Sequence, residues 1–223
     1  MTPALLAVPL TALLARKRLL IFDLDGTLIN SSPLHAQAFT EACAPLGIAV
    51  DYATIAGMTT ETAVDQLADA AGVSLMPEAR QALIARKRHR ALTLIETELE
   101  AMPGAPLFLQ KTESRWQRAL CTSASRANAD AALRRTGMGA CFDWIITAND
   151  VVHGKPDPEI FRLALDRAGI PAEHALVFED APSGLAAAAA AGIDVIEIVR
   201  NDAPTGTNQA NWSMLNDVLD AEA

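Results

Sequence analysis

Between residues 118 and 199 short apolar runs and helical patterns take turns along the chain. The runs RALCTS, DWIITA, HALVFED and DVIEIV have the length of strands, while RANADAALRRTG, DPEIFRLALDRAG and PSGLAAAAAAG between them carry helical spacing. Strands separated by helices of this length are joined by crossovers, so they lie parallel, with helices packed on the sheet faces. The expected fold class is α/β, a doubly wound parallel sheet. The six alanines from 186 to 191 fit it: Pro182 and Gly192 bracket them as helix start and stop, and small side chains pack closely on a sheet.

One further strand, LLIF (19–22), precedes this region, and between the two lies a block that reads as all helical, from about residue 30 to 100. In SPLHAQAFTEACAPLGI (32–48), Ser32 is the expected N-cap, Pro33 the first helical position and Gly47 the stop. TTETAVDQLADAAG and MPEARQALIARKRHRALTLIETELEAM read as two more helices, and MPGAP (102–106) then breaks the pattern like a hinge. The apolar start carries its basic residues Arg16, Lys17 and Arg18 after the apolar run, the reverse of a secretory signal, and is shorter than the roughly 20 residues that span a bilayer. It reads as an extension with helical character, cleavage after Ala15 being the alternative.

With 51% hydrophobic residues in 223, the chain can bury a substantial core, and its formal charge of −9 argues against a nucleic-acid partner. Cys43, Cys121 and Cys141 are odd in number and form no CxxC pair, which suggests neither a disulfide framework nor a zinc site and fits a cytoplasmic protein.

Ligands of open parallel sheets bind at the carboxyl ends of the strands. There this sequence places Asp23 and Asp25 after the first strand, Thr122 and Ser123 after RALC, and Glu179 and Asp180 after ALVF, with Lys155 in the intervening GKPDPE loop. Converging carboxylates repel one another unless a hard cation sits among them, and Mg²⁺ favours such oxygen ligands. Lys155 adds a fixed positive charge, and Pro156 biases it towards an extended pose. Thr122 and the backbone N–H groups of the next helix can donate to phosphate oxygens. The set suits a phosphate monoester.

The segments DLDGTL, CTS, GKPDPE and FEDAPSG resemble, in order and spacing, the four motifs of the haloacid dehalogenase-like phosphohydrolases. The resemblance implies a Rossmann-like core over 1–29 and 101–223 and a helical C1-type cap over 30–100. It lies nearest to that family's sugar phosphatases. It implies Asp23 as nucleophile, Asp25 as general acid and base, and Thr122, Ser123 and Lys155 as phosphate-binding groups. Mg²⁺ would be held by the Asp23 side chain, the Asp25 backbone carbonyl and Asp180, with Glu179 adjacent or accessory. The expected substrate is a small phosphorylated sugar or polyol, with no nucleic-acid or membrane partner, and a monomer is the default for a capped enzyme of this size.

His35, ten residues after Asp25, matches a histidine that links cap closure to catalysis in the related β-phosphoglucomutases, and so is a candidate substrate contact. Thr60, however, stands where those mutases carry a phosphate-binding arginine, which favours hydrolysis over isomerisation. Asn30 replaces an aspartate common after DGTL. The basic run holding Lys87 reads first as a solvated face, and Asp157 and Glu159 as favouring the start of the following helix; His89, His153 and His174 are given no role. The mutase reading and a non-catalytic phosphate-binding protein remain the alternatives, while a true dehalogenase would have no use for an acid at Asp25.

Overall fold

The structure is a computed structural model that describes residues 10–56, 58–200 and 208–221; positions 1–9 of the apolar start lie outside the described residues. The chain divides into two compact units, Met1–Asn30 with Ala101–Ala223, and Ser31–Glu100. In chain order the elements are α1 (Leu10–Leu14), β1 (Leu19–Phe22), α2 (Ser32–Cys43), α3 (Thr60–Ala70), α4 (Pro77–Glu98), α5 (Ala105–Lys111), β2 (Gln117–Cys121), α6 (Arg126–Thr136), β3 (Trp144–Ile146), α7 (Glu159–Ala168), β4 (Ala175–Glu179), α8 (Pro182–Ala190), β5 (Asp194–Ile198), β6 (Gln209–Ala210) and α9 (Trp212–Asp220). Among the described residues no helix is long and apolar enough to cross a membrane.

The first unit holds the expected parallel sheet, in the order β3-β2-β1-β4-β5-β6. β1 lies between β2 and β4, and side chains pack on both its faces, which is why LLIF is apolar throughout rather than alternating. Leu19 and Ile21, with Ala119, Cys121, Ala175 and Val177, pack on α7 and α8. The alternate residues turn the other way. There Phe22 stacks on Phe178 with centroids 4.9 Å apart, and Phe108 of α5 and Trp212 of α9 close over them. Each such fully buried aromatic is worth roughly 1.5–3 kcal/mol in area removed from water.

Three elements of this unit escaped the sequence reading. MPGAP is not simply a break: Gly104, with φ +86°, is the N-cap of α5 and Pro106 lies in its first turn. β6 and α9 follow at the C-terminal end, where Asn211 caps α9 by accepting from the Met214 N–H at 2.9 Å.

In the second unit α2, α3 and α4 enclose a core that includes Phe39, Ile48, Ile55, Val64, Leu67 and Leu83. The N-cap of α2 is Ser31 rather than Ser32, which is the first helical residue. The basic run of α4 is not a freely solvated face. Arg86 donates to the Ala42 carbonyl, Arg88 and Arg90 pair with Glu61 and Glu41, and Lys87 is buried.

Candidate active site

The site begins where β1 ends. The Asp23 N–H still donates to the Phe178 carbonyl at 3.0 Å, so the carboxylate stands on the central ladder of the sheet, and it is buried. The chain then turns sharply, Gly26 taking φ +92° and donating to the Ile29 carbonyl at 2.9 Å. A Cβ at Gly26 would overlap the Asp180 carboxylate, so only glycine lets this turn pass so close to that acid. Asp25 is half-buried in the turn. Thr27, fully buried, donates its hydroxyl to Asp180 Oδ1 at 2.9 Å.

Lys155 joins the two acidic strand ends. Its ammonium lies 2.6 Å from Asp23 Oδ1, 2.7 Å from Glu179 Oε2 and 3.0 Å from the Cys121 carbonyl oxygen, over the Phe161 ring. The other Glu179 oxygen accepts the N–H groups of Asp180 at 3.2 Å and Ala181 at 3.0 Å. Gly184 of α8 makes room for this carboxylate, since a Cβ there would overlap it. Thr122 is buried just past β2. Its Oγ1 accepts the Ala124 N–H at 2.9 Å, which leaves the hydroxyl hydrogen to donate elsewhere. Ser123 beside it is exposed.

Burial, then the neighbouring Glu179 carboxylate, holds the Asp23 carboxyl well above the usual carboxylate range, against the opposing effect of Lys155. Burial also works against the Lys155 charge, but the Asp23 and Glu179 carboxylates outweigh it and raise the ammonium above the usual lysine value. Asp180 is pushed up to about 6, chiefly by burial and further by Glu179, although the Thr27 hydrogen bond favours its ionised form. Burial raises the Cys121 thiol to about 12, which leaves it inert near neutral pH.

Asp23, Glu179 and Asp180 offer ligand atoms within 4.8 Å of one another, an all-oxygen set that can hold a hard metal ion. The donors are not equal. Both Glu179 oxygens are engaged, one by Lys155 and one by backbone, so the more open donors are Asp23 and Asp180. The Asp25 carboxylate is not part of this cluster.

His35 belongs to the second unit, where its Nδ1 lies 3.4 Å from Lys87 Nζ. Lys87 is also 3.4 Å from Thr60 Oγ1 and 4.4 Å from the centre of the Phe39 ring. Lys87 is therefore buried rather than part of a solvated face, and Thr27 and Gly184, for which no role was expected, adjoin the acids. For Lys87 a signal was present, since it falls on the buried stripe of α4 between Leu83, Ile84 and Ala91.

Residues 17–192 match the haloacid dehalogenase-like hydrolases. The fructose-1-phosphate phosphatase YqaB of Escherichia coli (strain K12) is 32% identical over 183 residues, 80% of this chain and 95% of that protein. The phosphorylated carbohydrates phosphatase of Thermotoga maritima is 31% identical over 180 residues, 79% of this chain and 82% of that protein. Among solved structures, CbbY from Rhodobacter sphaeroides in complex with phosphate superposes with a TM-score of 0.77 at 27% identity, covering 92% of this chain and 99% of that one. With acids at two strand ends, a lysine between them and a family match across most of its length, this chain belongs to the haloacid dehalogenase-like hydrolases.

Proposed function

We propose that this protein is a Mg²⁺-dependent phosphatase of small sugar or polyol phosphate monoesters, acting as a cytoplasmic monomer. The observation that carries the reading is the Lys155 ammonium held between Asp23 and Glu179 at a sheet edge that also presents Asp180. The two relatives named for phosphorylated sugars support the substrate class. The helical unit is read as the cap, and its His35, Lys87 and Thr60 group as the candidate for recognising the sugar.

Asp23 attacks phosphorus and the bond to the sugar oxygen breaks, while Asp25 gives that oxygen its proton. The product of this half is an aspartyl phosphate. Asp25, now a carboxylate, takes a proton from water, the water oxygen bonds to phosphorus, and the Asp23–phosphorus bond breaks to release phosphate. Lys155 and the Thr122 hydroxyl would stabilise the charge that spreads over the phosphoryl oxygens, with Ser123 as a further donor, and preset charges of this kind supply most of the acceleration in this type of transfer. The donor set fits Mg²⁺, which Asp23, Asp180 and the Asp25 backbone carbonyl would hold with Glu179 accessory; when bound it supplies additional positive charge to the phosphate.

Phosphorus NMR over time, with Mg²⁺ and a panel of sugar monophosphates, tests the reading. Growth of free phosphate, abolished in Asp23→Asn, is expected. Conversion of β-glucose 1-phosphate into glucose 6-phosphate with little free phosphate would instead make the protein an isomerase of the β-phosphoglucomutase kind.

A further inference from the structure

Lys155 reaches the site from a loop rather than from a strand or helix, so something must fix that loop for an ammonium to meet three oxygens within 3.0 Å. At its start Val151 packs against the core and Asp150 accepts from Thr147 and Arg126, while Val152 is exposed, and further on the Asp157 N–H donates to the Gly154 carbonyl at 3.0 Å. The backbone between these anchors is gripped by Glu159. One carboxylate oxygen accepts the Val152 N–H at 2.8 Å, and the other accepts the His153 N–H at 2.8 Å and lies 3.1 Å from His153 Nδ1. The same residue is tied to the core from its other side. It opens α7, its own N–H is capped by Asp157 Oδ1 at 2.9 Å, and the next two residues, Ile160 and Phe161, are buried.

We propose that Glu159 is a positioning residue for Lys155: by gripping two consecutive backbone N–H groups from the first turn of α7, it sets the loop that carries the ammonium into the site. The chemistry requires a carboxylate. A glutamine offers one acceptor and one donor, so one of the two N–H groups would face an amide NH₂ instead of an oxygen. The consequence for turnover rests on the phosphatase reading; the positioning itself does not.

The test uses acetylation of the full chain by an N-hydroxysuccinimide ester, with the rate at each lysine read by mass spectrometry. In the native chain the Lys155 side chain is 3% exposed and is expected to react slowly. Lys17, 2% exposed and held by Asp194 and the Glu173 carbonyl, is the internal reference for an intact fold. Glu159→Gln and Glu159→Ala are expected to speed labelling of Lys155 by about tenfold or more, the scale of losing a charge-assisted hydrogen bond, with Lys17 unchanged. His153→Ala, which keeps both backbone bonds, should label Lys155 within about twofold of the native rate. The proposal is overturned if Lys155 stays protected in both Glu159 variants, if Lys17 is exposed in step with it, or if His153→Ala does as much as Glu159→Gln.

Turnover then supplies a separate reading. If Glu159 acts through Lys155, Glu159→Gln lowers kcat/KM in the native background and costs less than about twofold more in a Lys155→Ala background; independent, multiplying losses would overturn the link. Absence of any phosphatase activity in the native chain would reject the proposed function, while the labelling pattern would still decide the role of Glu159.

Discussion

Replacing Asp180 with asparagine removes a carboxyl whose ionisation the fold resists. In the folded chain this group titrates near 6, against an ordinary value of 3.8. Between those two pH values the native state keeps a proton that the unfolded chain has lost, so stability falls as pH rises and the loss is complete above about 6. A difference of about two pH units at roughly 1.36 kcal/mol each sets the loss at about 3 kcal/mol, an upper figure because the group is not fully buried. Asparagine cannot ionise and can still accept from the Thr27 hydroxyl. The variant should therefore melt higher than the native protein at pH 8 in EDTA, by up to roughly 6–12 °C on the scale of a domain this size, with little difference at pH 4. Trp116, Trp144 and Trp212 all lie in the first unit, so tryptophan fluorescence follows the unit that contains Asp180. Adding Mg²⁺ should raise the melting temperature of the native protein at pH 8 far more than that of the variant. A variant that melts at or below the native chain at pH 8, or a gap independent of pH, would refute the reasoning.

Gly184→Ala should destabilise the first unit by about 1–3 kcal/mol in urea unfolding, because the added methyl must displace the Glu179 carboxylate. It should also cut turnover, since that carboxylate holds Lys155. Trp212→Ala should cost about 3–5 kcal/mol by the same assay. It removes a ring packed against Phe22, Phe108 and Phe178, together with the indole N–H bond to the Thr27 carbonyl at 2.8 Å.

The sheet and its acidic edge were legible because parallel strands buried on both faces read as apolar runs, and an acid directly after such a run marks the end where ligands bind. Asp23, Lys155, Glu179 and Asp180 could be grouped on that ground, and in the structure they lie together. What was missed has local causes. α5 is seven residues long and begins on Gly104 and Pro106, which read as a break as readily as a helix start. α9 carries the spacing Trp212, Leu215 and Leu219, but it follows a Gly-, Pro- and Asn-rich stretch that reads as a tail. Lys87 was masked by the arginines around it, although its position on the buried stripe was visible. Gly26 and Gly184 differ in kind. The first is constrained by Asp180, over 150 residues away, so its constraint is not written in the neighbouring sequence; the second is constrained by the nearby Glu179, whose side chain only the fold shows to lie against α8.

The strand order has a consequence for how the molecule is made. β1 is the first strand among the described residues yet sits in the middle of the sheet, and its partner β4 begins only at Ala175. A growing chain that has not reached that point can pair β1 with β2 alone, leaving an apolar edge open to other strands. Asp23 thus emerges early from the ribosome but meets Glu179 and Asp180 late. The cluster of Asp23, Glu179 and Asp180 is therefore assembled abruptly during synthesis, when β4 has emerged and the open edge is closed.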